Sequence, residues 1–314
     1  DKSQNVTFMK APIHGTPEFL RAFCDEKLED ITTIYDALRK FSNKHLAYYT
    51  MRSVAGVCKL MYLMRVTPRS YMEPLLQGSG SQLRAFAGEL FGVYMENDSP
   101  QWAQATLPLR YGGMGLREAC FSSDIAFIAS ATTTEESCRK LGPQYPHVTN
   151  LGFLSQAMDG VNVCLPADNQ HNVESELVKH SKWFFDVFEK AKLKTLIENA
   201  GDWDRARLRS LSAEEGGQLG RGWLEAVPNK NLDTQLNNEE FQSRAGRRLG
   251  LEICEEAPCP FCFLMIDRYG VHPETCMGGG DRVFLHNGAR DTLYRHAARA
   301  NTRPQLEAQG VLGE

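Results

Sequence analysis

The sequence predicts a mainly α protein that carries one small metal-stabilised loop near its C-terminus. Two observations predict this fold class. Nearly every long stretch of periodic apolar residues repeats at the three- and four-residue spacing of a helix, and one group of Cys and His residues has the spacing of a metal site. We therefore expect a helical bundle after a short N-terminal strand, followed by a second helical region that holds the loop.

The N-terminal segment predicts one strand and one helix. Val6 to Ile13 has the pattern of a short strand, which His14-Gly15 ends. A helix then begins at Thr16-Pro17-Glu18, because Thr can cap a helix, Pro fits its first position and Glu suits its positive end. The apolar residues that follow, up to Leu38, lie on one face at helical spacing.

Three further helices are expected before residue 107. Lys44 to Val66 is apolar on most sides, which predicts a central core helix, and Thr67-Pro68 ends it. Leu83 to Tyr94 predicts an amphipathic helix. Ser99-Pro100 begins a short helix that carries Trp102.

A glycine-rich loop interrupts this pattern at Leu107 to Leu116, which reads LPLRYGGMGL. Three glycines in four residues indicate a tight, irregular backbone. One interpretation is a cradle for a phosphate group. However, the segment lacks the Gly-Lys-Ser/Thr ending of a P-loop and does not match G-x-G-x-x-G, which favours a loop packed onto the bundle.

The rest of the chain is predicted to be helical around one polar connection. Residues 132–171 are polar and contain Pro and Gly, so we expect a linker there with a short helix near Leu151 to Met158. Helices are also expected at Glu118 to Ala131, Val173 to Asn199, Trp203 to Leu211, from Asn238 onward, and at Arg282 to Ala300.

The pattern that points most directly to chemistry is Cys259-x2-Cys262-x9-His272-x3-Cys276. Two thiolates two residues apart can bind one ion from a tight turn, and a His and a Cys one helical turn apart can complete a tetrahedral shell. Zn²⁺ is the ion that such a Cys3His set favours, and a closed shell of this kind is structural. We therefore predict one structural zinc.

Two alternatives to this ligand set stay open. The cysteines could be reduced residues of a core, as free Cys often is. In addition, Cys254 or His286 is close enough in the sequence to replace one of the four ligands.

Arginines of two helices are the candidate nucleic-acid-binding residues. The last helix places its cations, together with His286, in rows of four-residue spacing along one side, which fits contacts to phosphate groups. The alternative is a solvated face that Asp291 partly neutralises. The candidates are Arg282, Arg290, Arg295, Arg299, Arg247 and Arg248.

Composition excludes several classes of function. The net charge of −4 excludes a generic polyanion binder, so any contact to nucleic acid must come from a local basic patch. Nine cysteines, without framework spacing apart from the Cys259/Cys262 pair, indicate a reducing compartment, nuclear or cytoplasmic.

The most apolar stretch, Val54 to Met64, is too short to span a bilayer. No G-x-S-x-G or H-E-x-x-H motif indicates a catalytic site.

Several segments resemble, in the same order, parts of the proteins of non-LTR (LINE-like) retrotransposons. Together they cover nearly the whole chain, and the Leu-Pro/Gly-Gly and Cys/His segments are the most specific. Val6 to Gly15 is similar to the strand that ends the reverse-transcriptase palm, and Leu107 to Leu116 is similar to the LP…GGLGL segment after the polymerase core. Trp223 to Pro228 and Phe241 to Leu249 are similar to the helical segments that follow. Cys259 to Cys276 is similar to the CCHC element, and Gly279 to Arg282, with His286-Asn287 and Arg290-Asp291, is similar to the start of a restriction-like endonuclease.

The resemblance implies the region that follows the palm of a reverse transcriptase carrying a restriction-like endonuclease. Its implied regions are 1–15, the end of the palm; 16–131, a thumb-like bundle; 132–171, a linker; 172–252, a helical linker domain; 253–280, a CCHC zinc element; and 281–314, the start of an endonuclease-like module. The implied partners are RNA template and target DNA, with no membrane and no small-molecule substrate.

The resemblance also implies which catalytic parts are absent. The aspartate pair of a Tyr-x-Asp-Asp polymerase motif is not in this sequence, and the endonuclease metal-binding core is expected after Glu307. We therefore expect neither polymerisation nor cleavage from this chain, although the parent protein would be an RNA-directed DNA polymerase with an endonuclease.

Two functional hypotheses follow from the sequence. The first is a nucleic-acid-binding region with one structural zinc, which positions RNA template and target DNA between polymerase and endonuclease. The alternative is a helical protein-interaction scaffold with a structural zinc and no nucleic-acid role. An independent metal hydrolase is the least favoured reading, because a Cys3His shell leaves no open position for water.

Overall fold

The structure, a computed structural model, describes residues 5–147, 150–172, 181–214, 220–276, 278 and 281–306. The chain divides into two units, Asp1–Gly250 and Leu251–Glu314. The described residues are mainly helical and include two short pairs of antiparallel strands, which confirms the predicted fold class.

The first unit contains an N-terminal β-hairpin and a series of α-helices. The strands are β1 (Val6–Phe8) and β2 (Ala11–His14), and the helices are α1 (Pro17–Arg39), α2 (Lys44–Thr50), α3 (Met61–Val66), α4 (Arg69–Phe91), α5 (Pro100–Ala105), α6 (Ala119–Leu141), α7 (Gly152–Val163), α8 (Ser181–Asn199), α9 (Asp202–Leu211), α10 (Gly222–Glu225) and α11 (Asn238–Leu249).

Capping side chains confirm the helix starts that the sequence predicts. Thr16 and Ser99 each accept a hydrogen bond from the backbone N–H three residues further on, and Pro occupies the first position of both α1 and α5. Helix α11 begins with a capping box, in which Asn237 and Glu240 each accept the backbone N–H of the other. These local signals are sufficient to define where the three helices begin.

The N-terminal strand predicted over Val6 to Ile13 is folded as a hairpin instead of one continuous strand. Met9 and Lys10 join β1 to β2 with φ angles of 49° and 67°. Positive φ at both central residues is the signature of a type I′ turn, which usually requires Gly or Asn. Because neither residue type is present, the sequence carries no clear signal for this turn.

The single helix predicted over Lys44 to Val66 is broken in the structure. After α2 the chain forms a π-helical turn at Met51–Ala55, and Gly56 is extended at φ −77° and ψ −151°. A 3₁₀ turn at Val57–Lys59 then leads into α3. The prediction of a central core helix is wrong in part, because Met51 and Met64 are buried whereas Val54 and Tyr62 are exposed. A glycine without helical preference lets the backbone break inside the segment.

The core of the first unit is formed by helices that pack on both sides of α4 and α6. Helix α4 packs against α1 and α6, while α6 also contacts α3 and α7. Phe241 of α11 is fully buried and lies against the rings of His45, Tyr48 and Phe91. This aromatic cluster attaches α11 to α2 and α4, although about two hundred residues separate α11 from α2 in the sequence.

Residues 132–171, which the sequence predicts to be a linker, contribute to the core of the first unit instead. Helix α6 continues to Leu141, and Leu154, Met158 and Val161 of α7 are buried against Phe184 of α8. The two units divide after residue 250, not at this segment. Because polar residues flank α7, its short apolar stripe is hard to recognise in the sequence. That stripe is nevertheless enough to bury the helix.

The second unit contains β3 (Ala257–Pro258), β4 (Met265–Ile266), α12 (Val271–Thr275) and α13 (Asp281–Arg299). The two strands form an antiparallel pair, and α12 packs against both β4 and α13. Helix α13 lies within one residue, at each end, of the last helix that the sequence predicts. Across the described part of the chain, none of the helices has the length and apolar character needed to cross a membrane.

Candidate metal centre and basic residues

The β3–β4 hairpin brings two cysteines to its turn. The backbone N–H of Cys259 donates to the carbonyl of Leu264 at 2.8 Å, and the N–H of Phe263 donates back to the carbonyl of Cys259 at 2.9 Å. Phe263 has a φ of 63°, so the turn closes through the left-handed region. This tight turn holds Cys259 and Cys262 close together.

Helix α12 supplies the other half of the group. The N–H of Cys276 donates to the carbonyl of His272 at 2.8 Å, which continues the helical pattern to the end of α12. Residues four apart on a helix lie on the same side. The side chains of His272 and Cys276 therefore point towards the hairpin turn together.

The four ligand atoms lie close enough together to surround one ion, and two of their separations match a tetrahedral shell. All of them lie within 4.8 Å of one another; Cys259 Sγ is 3.7 Å from Cys276 Sγ, and Cys262 Sγ is 3.3 Å from His272 Nε2. Ligand atoms bound at about 2.0–2.3 Å to a tetrahedral ion lie about 3.3–3.8 Å apart. The group can therefore hold a metal ion with four protein ligands.

A disulfide does not explain these contacts. The two sulfur atoms of a disulfide are about 2.05 Å apart, whereas the Cys259 and Cys276 sulfurs are separated by 3.7 Å. All nine cysteines of the chain are free. Cys259 and Cys276 are buried while Cys262 and His272 are half-buried, so the group sits just below the surface of its unit.

The backbone of the turn favours a thiolate at Cys259. The N–H groups of Cys262 and Phe261 lower the pKa of the Cys259 thiol, because they point their positive ends at its sulfur. At Cys262, the N–H of Leu264 acts to lower the pKa of the thiol, but burial and the neighbouring cysteines outweigh it and raise that pKa. The site therefore accommodates one negative charge readily, and further thiolates require a cation beside them.

Asp267 fixes the position of His272. Its carboxylate accepts the backbone N–H groups of Tyr269 at 3.0 Å, Val271 at 3.1 Å and His272 at 2.7 Å. These three donors hold the pKa of Asp267 below its usual value, although partial burial opposes the effect. The ionised carboxylate thus anchors the start of α12 and, with it, one of the four candidate ligands.

Gly270 allows the chain to turn between Asp267 and α12. Its φ is 68°, and its N–H donates to the carbonyl of Asp267 at 3.1 Å. A Cβ at this position would lie 2.7 Å from Cδ1 of Ile253. The left-handed backbone conformation therefore favours glycine here, and any larger residue would also displace the end of the Ile253 side chain.

Neither alternative ligand takes part in the group. The Cys254 side chain is exposed, and its sulfur donates to the carbonyl of Asp267 at 3.1 Å. His286 is exposed on α13, where Nδ1 lies 3.5 Å from the side-chain oxygen of Asn287. Among the described residues, the metal-ligand geometry is met by the four residues that the sequence predicts.

The candidate arginines of α13 differ in their surroundings. Arg295 and Arg299 are exposed, whereas Arg290 is half-buried and pairs with Asp291 at 2.8 Å. The side chain of Arg282 lies outside the described part of the chain. The predicted partial neutralisation by Asp291 is therefore present, and it applies to Arg290.

The structure contradicts a nucleic-acid-binding role for Arg248. Its side chain is only 5 % exposed, and its guanidinium donates to the carbonyls of Gly113 at 3.1 Å, Leu109 at 3.0 Å and Gly220 at 3.2 Å. Burial lowers the pKa of this guanidinium to about 10. Because each of its three nitrogens donates to a backbone carbonyl, Arg248 is a structural residue; Arg247 beside it is half-buried.

The glycine-rich segment is a loop packed onto the bundle, as the missing phosphate-binding features indicated. Tyr111 and Met114 are buried, and the hydroxyl of Tyr48 donates to the carbonyl of Met114 at 2.6 Å. A Cβ on Gly113 would lie 2.0 Å from the carbonyl oxygen of Leu107. The glycines of this loop therefore serve close packing of the backbone.

Comparison of the chain with protein-family models, with curated proteins and with solved structures finds no match. The functional interpretation consequently depends on the residues and their geometry. Asp267 and Gly270 belong to the segment that resembles a CCHC element, but sequence reasoning assigned no functional role to either of them. The signal for Asp267 is an acidic residue three positions before Gly270, which lies two positions before His272.

Proposed function

We propose that this chain is a nucleic-acid-binding region with one structural zinc, of the kind that joins the polymerase and the endonuclease of a non-LTR retrotransposon reverse transcriptase. In that role it positions the RNA template and the target DNA. The observation that carries the proposal is the Cys3His group within the same unit as the arginine-bearing helix α13.

Zinc is the ion that this donor set favours. Three thiolates and one imidazole form a soft, tetrahedral shell, which suits Zn²⁺ better than Mg²⁺ or Ca²⁺. With four protein ligands no position is left for a substrate or a water molecule. When bound, the ion would stabilise the hairpin and α12 in one arrangement, and Asp267 would keep His272 directed at it.

Helix α13 supports contacts to phosphate groups. Arg295 and Arg299 are exposed on a helix whose described acidic side chain, Asp291, is engaged with Arg290. Cations of this kind attract the nucleic-acid backbone without reading its sequence. We therefore expect binding that weakens steeply with salt and depends little on sequence.

The test is a fluorescence anisotropy titration with single-stranded RNA and with duplex DNA over a range of salt concentrations. The variant Arg295→Ala with Arg299→Ala should bind more weakly, and its salt slope should fall by about 1.4 to 1.8, because each lost phosphate contact removes about 0.7 for single strands and 0.9 for duplex. Arg21→Ala with Lys230→Ala, two exposed cations outside the second unit, is the matched control. An unchanged affinity and slope in the α13 variant would contradict the role of this helix.

The second candidate function, a protein-interaction scaffold with a structural zinc, is favoured by one specific observation. The hairpin turn exposes Phe261, Phe263, Leu264 and Met265, at 56 %, 80 %, 65 % and 57 %. Contiguous exposed apolar side chains are typical of interaction surfaces. If the chain retains zinc but binds neither RNA nor DNA at low salt, this scaffold function becomes the better account.

A further inference from the structure

A cleft of about 860 Å³ opens in the first unit beside the glycine-rich loop. The cleft is lined by α6, by the start of α8 and by α10, together with Met61 and Arg65 of α3 and Pro108 and Arg110 of the loop. The cleft contains no residue that the sequence analysis proposed as a binding residue. Its chemistry therefore has to be established from the side chains that line it.

Positive charge dominates the lining. The cleft is lined by Arg65, Arg110, Arg117, Lys182 and Arg221, against a single carboxylate, that of Glu225. Such an excess of cations in a concave surface concentrates the positive potential and attracts anions. It also contrasts with the net charge of −4 of the whole chain.

Carboxylates behind the lining neutralise only some of these cations. Arg110 pairs with Asp186 at 2.6 Å, and Arg117 pairs with Glu189 at 2.9 Å. At the rim, Arg221 contacts Glu225 at 3.3 Å.

The remaining two cations are left without such compensation. Arg65 and Lys182 are exposed, and within the described residues neither has a carboxylate at ion-pair distance. They are therefore the side chains of the cleft that are most available to an anionic ligand.

The other groups of the cleft suit a sugar–phosphate backbone with its bases. Ser130 and Thr133 of α6 present hydroxyl groups, which commonly donate to phosphate oxygens. Phe185 of α8 is half-buried in the lining with the guanidinium of Arg117 at 4.8 Å from its ring centroid. An aromatic ring beside a guanidinium is a surface on which a base can stack.

A second cleft of about 390 Å³ continues the first, since both are lined by Met61, Pro108 and Arg117. It adds Arg52 from the π-helical turn, whose Nη1 atom is buried without a hydrogen-bond partner among the described residues. A buried donor that lacks an acceptor costs stability unless a ligand or water supplies one. The basic surface is therefore longer than the first cleft alone.

We propose that this cleft binds single-stranded nucleic acid, with Arg65 and Lys182 contacting backbone phosphates and Phe185 stacking on a base. The inference rests on the proposed function, because it assigns a nucleic-acid site to the first unit in addition to α13. A volume of about 860 Å³ is in the range of pockets that enclose one small organic molecule. It therefore admits a few nucleotides of a single strand and not a length of duplex.

The test compares the variant Arg65→Ala with Lys182→Ala against the control Arg21→Ala with Lys230→Ala. All four side chains are exposed, so folding should be preserved, and circular dichroism checks this. The probes are labelled single-stranded RNA, single-stranded DNA and duplex DNA of mixed sequence. We expect the cleft variant to bind single strands roughly tenfold more weakly, with a salt slope reduced by about 1.4, while the control variant and duplex binding stay unchanged.

The remaining outcomes separate this proposal from the proposed function. An equal loss for RNA and DNA supports contacts to phosphate alone, and a larger loss for RNA supports an additional contact to the 2′-hydroxyl. If the cleft variant binds single strands as the wild type does while the α13 variant loses affinity, the cleft proposal is wrong and the proposed function stands. If the wild type binds none of the three probes, both are wrong.

Discussion

At the scale of single residues, Asp267 connects the backbone of the second unit to its candidate metal site. One carboxylate accepts three backbone N–H groups, and the shortest of these hydrogen bonds, 2.7 Å, comes from the N–H of His272 itself. Hydrogen bonds that hold a metal-binding residue in place, without touching the metal, orient that ligand and raise the metal affinity of a site. Asp267 is therefore a positioning residue, which never needs to touch the ion.

Replacement of Asp267 should weaken metal binding without removing a ligand. Asp267→Ala loses all three hydrogen bonds, and we expect a 10–100-fold lower zinc affinity in competition with a chromophoric chelator. Asp267→Asn can keep the two hydrogen bonds to Oδ1 and should lose less affinity than Asp267→Ala. Wild-type affinity in Asp267→Ala would show that His272 is positioned by other contacts.

Arg248 illustrates how a basic residue can be misassigned from sequence alone. Arg248→Ala would remove a donor from three backbone carbonyls, of which that of Leu109 keeps the N–H of Gly112, and we expect unfolding to require about 3 kcal/mol less free energy. Arg248→Lys should not restore the loss, because one ammonium cannot reproduce a planar fork of donors. Urea unfolding measures the free energy of unfolding of both variants.

The control for Arg248 is Arg244→Ala, an exposed arginine on the same helix. This variant should change the free energy of unfolding by less than about 0.5 kcal/mol, as is usual for surface substitutions. If Arg248→Ala unfolds like the control but loses affinity for nucleic acid, the structural role assigned to Arg248 is incorrect.

At the scale of elements, local signals predicted more than long-range packing did. Caps at Thr16 and Ser99 marked helix starts correctly, since they act within three residues of their own position. The break at Gly56 and the burial of α7 were missed, because both depend on neighbours that are distant in the sequence. Apolar periodicity predicts a helix, but it does not show against which element the helix packs.

The metal group was predicted more completely than any other part of the site. Cys259, Cys262, His272 and Cys276 lie within eighteen residues, so their spacing alone restricts how they can meet. The basic cleft, in contrast, is formed by residues from Arg65 to Arg221. No spacing in the sequence relates these cations to one another, and only the fold brings them together.

The glycine-rich loop offers a test of close packing between elements. Gly113→Ala places a Cβ 2.0 Å from the carbonyl of Leu107, so the loop must move, and we expect the free energy of unfolding to fall by about 1–3 kcal/mol. Gly80→Ala on α4 is the matched control, because nothing lies within 4 Å of its added Cβ. That control should be neutral or stabilising by up to about 1 kcal/mol, since Ala favours a helix more than Gly does.

These two glycine variants are compared by thermal and urea unfolding. If Gly113→Ala unfolds at the same temperature and urea concentration as the wild type, the loop can accommodate a Cβ despite the close backbone contacts of Gly113. The glycines would then have to be explained by a ligand and not by packing.

At the scale of the whole molecule, the chain combines a negative net charge with two local basic surfaces. The cleft belongs to the first unit and the arginines of α13 to the second, so variants of each can be made without altering the other. The metal ligands all belong to the second unit. Among the described residues of this small unit, the buried apolar ones are Leu251, Cys259 and Cys276. Units with so small a core usually need a metal or disulfides for stability.

The measurement that tests the central claim most directly is the zinc content of freshly purified, reduced protein that has received no added metal. The account predicts about one zinc per chain in the wild type and in Cys254→Ser, whose sulfur is not a ligand, and close to none in Cys276→Ser. An absence of zinc from the wild type, or full retention of zinc in Cys276→Ser, would contradict a structural zinc bound by Cys259, Cys262, His272 and Cys276.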